Sequence, residues 1–315
     1  MPPPDTPSSP PVAPPHDPYA VLRNRDYLLY LIGRLVAVLG QQMVVVAVGW
    51  ELYERTHSAM ALGLVGLTQM LPMILGTLPA GHVADNYPRK QIIAVTTGIL
   101  ALASLGLTLI SAFQAPVFWI YVCLFVMGMA RTFLWPASSS FVPHLVPRHL
   151  FSRAVTWNSS TFRLSSVAGP AVGGAIIAAT ESAVPAYAFN ILAALTYLTM
   201  ILAIRRKHEV AVREPMTLTS LGAGFQFVFA SPVLFATITL DLFAVLLGGA
   251  TALLPLYAKD ILEVSPRGLG LLQAAMPAGA MMCALFLAHR PPLEKAGAPG
   301  FRRVRPSPRR CCSPA

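Results

Sequence analysis

The ten residues Gly81 to Lys90 read GHVADNYPRK, a short charged turn set between two long apolar runs, and the rest of the chain is best read outward from them. Their pattern is Gly, three residues, Asp, three residues, then Arg and Lys. Gly81 has no Cβ, which predicts close approach by a neighbouring helix, and Asp85 follows one helical turn later on the same face. Asp85 is expected at the C-terminal end of its helix, where the macrodipole is already negative, so its carboxylate needs a cation or a helix N-terminus nearby. Arg89 and Lys90 stand close enough in sequence to supply one.

The flanks of this turn are apolar over lengths that only a membrane explains. The chain is 55% hydrophobic and 11% charged, with a mean hydropathy of +0.61, whereas a soluble domain is roughly a quarter charged. Crossing about 30 Å of hydrocarbon takes roughly 20 apolar residues. Runs of that kind cover Leu28 to Trp50, Ala61 to Ala84, Gln91 to Phe113, Val117 to Ala137, Trp157 to Thr180, Val184 to Ile204, Val233 to Tyr257 and Leu269 to Ala288. The expected fold class is therefore an all-α integral membrane protein, a bundle of about eight transmembrane helices.

Orientation follows from where Lys and Arg fall. With the N-terminus cytoplasmic, the inner loops carry ten basic residues, Arg23, Arg25, Arg89, Lys90, Arg148, Arg153, Arg205, Arg206, Lys207 and Arg213; the outer loops carry three, Arg55, Lys259 and Arg267. Both termini are expected in the cytoplasm, with the chain in the plasma (inner) membrane. The net charge of +10 then describes loops facing anionic lipid headgroups. A nucleic-acid partner is not expected, because no basic run is interleaved with aromatics.

Composition divides the chain into five parts. Residues 1–18 hold nine prolines and no Lys or Arg, which reads as a disordered cytoplasmic tail and not as the charged start of a signal peptide. Residues 19–204 form a six-span bundle. Residues 205–231 form a basic cytoplasmic linker, whose stretch Met216 to Phe229 is short and mixed enough to lie along the interface. Residues 232–289 hold two more spans, and residues 290–315 a second Pro-rich basic tail. Six spans, a basic loop and renewed spans is the layout of a transporter built from two halves related by an axis along the membrane normal.

These residues resemble the major facilitator superfamily. GHVADNYPRK resembles the signature loop between its second and third helices, with Gly81, Asp85, Arg89 and Lys90 in the fixed positions; Asn86 and Pro88 depart from the usual Arg and Gly. Gly169, Pro170, Gly173 and Gly174, in GPAVGG, resemble the antiporter motif, although Ser165 and Thr156 replace its further glycines. The run from Pro136 to Gly174, with Asn158 and Arg163, together with Asp241, is similar to the enterobactin-exporter and macrolide-efflux branch. The resemblance implies a major-facilitator bundle with a complete N-terminal half and the first two helices of the C-terminal half. It implies in addition that the acidic residue of the loop latches against the eleventh helix, which lies in the part of the second half this chain does not carry.

The spans offer their own candidates without the family. Thr161, Ser165, Gly169 and Gly173 recur every four residues and form a small-residue ridge, either a static packing face or a sliding surface between halves. Pro170 removes a backbone donor and is expected to kink its helix. A charge at the bilayer centre costs about 2.5–3.5 kcal/mol on the insertion scale, so ionisable residues there face a cavity or a partner. Four qualify: Arg34, Arg131, Arg163 and Asp241. Asp241 is read as the only carboxylate well inside a span, and three roles stand open for it: proton coupling, an ion pair with an Arg of the facing half, or interfacial solvation. Arg34 and Gln41 share a face that would turn to a central cavity, while Arg163 is expected to point at the Pro170 kink and Arg131 to snorkel to the surface. Gln42, Gln69, Asn158, Asn190, Tyr197 and Gln273 are read as interhelical hydrogen-bonding groups, a minority of them touching substrate.

No metal, cofactor or enzymatic chemistry is expected. The histidines lie at span ends or in the tails, the four cysteines form no zinc or redox motif, and no phosphate-cradling loop with Lys and Ser or Thr is present. An ion gradient is then the expected energy source. The function that follows is proton-coupled efflux, by alternating access, of a small amphipathic molecule such as a siderophore or a drug. Its partners would be that substrate, the proton and membrane lipid. The alternative is a truncated, transport-inactive member that keeps the fold, because the tail from about Gly297 reads like a slipped frame.

Overall fold

The computed structural model describes residues 19–204, 239–240, 251 and 253–288. Six helices account for most of them: α1 (Arg25–Thr56), α2 (Ala59–Asn86), α3 (Arg89–Ala112), α4 (Phe118–Leu145), α5 (Phe151–Thr180) and α6 (Val184–Ala203). All six are long and apolar enough to cross a membrane. A short turn at Leu254–Leu256 runs into a π-turn at Tyr257–Ile261, and α7 follows at Pro266–Ala288. No strand occurs among the described residues. The expected span from Val233 lies mostly outside them, as do Asp241 and the basic linker.

Local chemistry sets the ends of the elements. Asn24 caps α1: its Oδ1 accepts from the amides of Asp26 (3.1 Å) and Tyr27 (3.4 Å), while its Nδ2 donates to the Leu145 carbonyl at 2.7 Å. One side chain thus satisfies the start of α1 and the end of α4, where backbone groups have no intrahelical partner. At the opposite end of α1, His57 adopts a left-handed conformation (φ 47°) and turns the chain directly into α2.

Consecutive helices are joined by short connections and therefore alternate in direction, yet the closest partners are not consecutive. α1 packs chiefly on α5 and α6, α3 on α4 and α6, and α2 on α4. The order around the bundle is α5, α1, α6, α3, α4, α2, which leaves α5 and α2 as flanks. Two apolar cores result. One joins Met43, Val44, Val46 and Val48 of α1 with Leu100, Leu107, Leu124, Met127 and Tyr187; the other, towards the α2–α3 loop, joins Tyr27, Tyr30, Leu31, Ile93, Phe141 and Ile201. Membrane helices gain little from apolar burial alone, so close contacts and hydrogen bonds between them weigh more. Asn190 donates to Ser104 Oγ at 2.6 Å, tying α6 to α3, and Tyr27 donates to the Ala154 carbonyl at 2.8 Å, tying α1 to α5.

Two expectations are corrected here. α1 does not stop at Trp50 but continues to Thr56, which brings Glu51 inside the helix, 7% exposed. Glu51 is thus a buried carboxylate within a helix of the bundle that the expected span boundaries left out. Glu51 is held by Arg55 one turn on (2.5 Å) and by the Tyr187 hydroxyl (2.7 Å), while Arg55 also donates to the carbonyl of Ala115 at 3.0 Å. Gly81, expected to admit a close neighbour, has nothing within 4 Å of where its Cβ would be among the described residues.

Candidate functional site

A cavity of about 200 Å³ opens beside α1, α4, α5 and α6. Arg34 and, about two turns later, the adjacent Gln41 and Gln42 line it from α1, as the shared face of Arg34 and Gln41 predicts. Arg131, Trp135 and Ser138 line it from α4, Phe162 from α5 and Tyr197 from α6. A second space of about 140 Å³ lies beside it, also walled by Arg131, with Gln69 and Gln273.

Both cavity arginines are held by neutral partners. Arg34 Nη1 donates to the Tyr30 hydroxyl at 2.7 Å and its guanidinium lies 6.0 Å from the Tyr30 ring centre. Tyr30 is fixed in turn by donating to the Ser138 carbonyl at 3.3 Å. Arg131 Nη1 donates to Gln69 Oε1 at 2.9 Å, and its buried Nε has no hydrogen-bond partner among the described residues. The expectation that Arg131 snorkels to the surface is overturned. α4 runs on to Leu145, eight residues past the expected end at Ala137, so Arg131 sits at mid-helix. Arg163 departs from its expectation too: it is exposed, does not line the cavity, and makes no hydrogen bond or ion pair among the described residues, so it caps no carbonyl at the kink.

The GPAVGG segment is packed backbone to backbone. Ser165 Oγ donates to the Leu35 carbonyl at 2.9 Å; a Cβ on Gly169 would meet Gln42 Cβ at 2.5 Å, and one on Gly173 would meet Met43 Cα at 3.0 Å. The ridge Ser165, Gly169, Gly173 thus lies along Leu35, Leu39 and Met43 of the parallel helix α1, each four residues apart. It is a packing face within the bundle. The contact with the later part of the chain falls beside it, where a Cβ on Gly174 would lie 2.5 Å from the Pro266 carbonyl and 2.9 Å from Gly270 Cα, and Pro170 also faces Gly270.

The signature loop is short and tightly held at one side. Lys90 Nζ donates to the carbonyls of Ile204 (2.7 Å) and Leu202 (3.0 Å), capping the C-terminus of α6, where a cation is favoured by the helix dipole. Arg89 Nη1 donates to His144 Nε2 on α4. Asn86, which stands in place of a cation, is buried and turns back to the His82 carbonyl at 3.0 Å. Asp85 falls in the last turn of α2, as expected from its place before the loop.

Against known proteins, residues 16–293 match the family model described as transmembrane secretion effector, within the major facilitator superfamily. The chain belongs to this family. It is 30% identical over 270 residues to the enterobactin exporter EntS of Shigella flexneri, covering 82% of this chain and 62% of that protein. It is 29% identical over 264 residues, with the same coverage, to the proteins of that name from Shigella boydii serotype 18 and Escherichia coli O1:K1. The chain thus spans less than two thirds of the length of these relatives, which carry the name of an exporter and not of an enzyme. Membership makes this chain a multi-pass membrane protein of the major-facilitator type.

Within this secretion-effector frame, sequence reasoning found Arg34, Gln41 and the GPAVGG glycines but missed the aromatic wall. Trp135 and Phe162 read as ordinary apolar span residues, and their rings meet edge to face, centres 6.3 Å apart. The spacing of Trp135 four residues after Arg131 could have revealed that they share a face. Glu51 was missed because hydropathy ends a span at the first acidic residue.

Proposed function

We propose that this chain carries the substrate path of a secondary exporter, moving a small amphipathic molecule, a siderophore in the first instance, across the membrane by alternating access. The observation that carries the reading is the cavity lined by Arg34, Gln41, Arg131 and Tyr197, a few polar groups set in a largely apolar wall within a six-helix membrane bundle. Intramembrane cations are costly and mark substrate or ion pathways. The names of the relatives support efflux over import and support transport over the inactive alternative. The basic-loop asymmetry supports cytoplasmic termini in the inner membrane.

Proton drive is the proposed energy source, with Asp241 as the carrier, because a carboxylate in a partly dry cavity exchanges its proton near neutral pH. The signature loop (Gly81, Asp85, Arg89, Lys90) and the antiporter-like segment (Gly169, Pro170, Gly173, Gly174) would limit and guide the motion. The full chain, expressed in an iron-starved bacterial strain lacking its own siderophore exporters, is expected to raise catecholate in the medium several-fold above the empty vector. A medium indistinguishable from the vector control would sink the export reading. A protonophore and Asp241→Asn should each abolish the gain; secretion that survives both would leave export standing and remove the proton from it.

A further inference from the structure

We infer that the α1–α4 cavity selects an organic anion, and specifically a planar aromatic acid seated between Arg34 and Arg131 with its ring against Trp135 and Phe162. The inference rests on this cavity being the substrate site and adds the charge and shape of what it holds.

Charge comes first. Two guanidinium groups line the cavity, and no Asp or Glu does so among the described residues. Their hydrogen-bond partners, the Tyr30 hydroxyl and the Gln69 amide, are neutral. Glu51 is already engaged by Arg55 and Tyr187 at the far end of α1. Asp241, outside the described residues, is a single carboxylate; paired with either arginine it would still leave the cavity positive. A buried Nε on Arg131 without a partner adds a directed donor, and desolvated cations are compensated by an opposite charge or by pairing. Guanidinium suits a planar carboxylate because its parallel N–H groups match two oxygens.

Shape is set by the other wall. Trp135 is exposed where it lines the cavity, with Phe162 next to it, and Tyr197 adds a third ring to the lining from α6. Flat aromatic faces favour a flat aromatic ligand, in offset or edge-to-face contact. The cationic dyes and amines that a carboxylate-lined cavity would take are disfavoured by both arginines.

Binding separates this from export. The purified full chain in lipid nanodiscs would be titrated by calorimetry with 2-naphthoate and with its neutral isostere 2-naphthamide. The acid is expected to bind at least tenfold tighter. Arg131→Gln and Arg34→Gln should each erase that preference, Arg131→Lys should keep part of it, and Arg148→Gln, an exposed charge on the α4–α5 connection, should leave it unchanged. Circular dichroism and gel filtration would confirm that the variants are folded; should Arg131→Gln not fold, the Arg34→Gln and Arg131→Lys pair decides. Equal affinity for acid and amide, binding of neither, or an Arg148→Gln loss as large as that of Arg34→Gln overturns the assignment. Catecholate export without naphthoate binding would keep the exporter and discard the anion; naphthoate binding without export would do the reverse.

Discussion

The flanking helices α2 and α5 are both rich in glycine, and they use it in opposite ways. On α5 every tested position is closed: Gly169 and Gly173 meet α1, and Gly174 meets Pro266 and Gly270. On α2, Gly76 meets Thr132, but Gly63, Gly66 and Gly81 have nothing within 4 Å of an added Cβ among the described residues. The outer face of α2 is instead a run of exposed apolar side chains, from Leu64 and Leu67 through Met70 and Met73 to Leu75. Glycine in a membrane helix therefore reports a close backbone only where a partner is present to use it.

The largest test of that contrast is Gly174→Val. Its Cβ would enter the space of the Pro266 carbonyl and Gly270 Cα, neither of which can rotate away. Overpacking of this kind costs about 1–3 kcal/mol or more, so thermal unfolding followed by tryptophan fluorescence should shift down by several degrees. A wild-type midpoint would mean that α5 does not rest on α7. Gly169→Ala should cost somewhat less, about 1–2 kcal/mol, since the nearest contact is with the Gln42 side chain and only the Leu39 carbonyl is backbone; the same melt checks it. Ser165→Ala removes only the hydroxyl bond to the Leu35 carbonyl, an expected loss of about 0.5–1 kcal/mol. Last comes Gly81→Ala, where the sign reverses: with no clash and better helix propensity, a gain of about 0.5–1 kcal/mol is expected. A loss there would reveal a partner on α2 and break the comparison.

Much of this fold was legible from hydropathy, because lipid demands unbroken helices of a set length. The expected run Val184 to Ile204 became α6, Val184–Ala203, and Gln91 to Phe113 became α3, Arg89–Ala112. What failed was depth. The run ending at Ala137 stopped where serines and prolines begin, yet the helix continues to Leu145, with Ser139 satisfied on the preceding turn by donating from its Oγ to the Pro136 carbonyl at 2.9 Å. That error alone moved Arg131 from the cavity wall to the surface. The site was legible in part for a related reason: periodicity joins Arg34 to Gln41 on one helix, but nothing local tells that Trp135 on α4 and Phe162 on α5 meet. Such pairings depend on which helices are neighbours, and the order around the bundle is not the order in sequence.

That order has a consequence in time. α1 and α3 both close on α6, the last of the six to be made, so the earliest helix must wait for the latest. At about 5–20 residues per second, the synthesis that separates them takes on the order of ten seconds or more. Throughout that interval Glu51 lacks Tyr187, and Ser104 lacks Asn190. During biogenesis the half-built bundle is thus a distinct species with polar groups open inside the membrane, vulnerable to quality-control proteases until the sixth helix arrives.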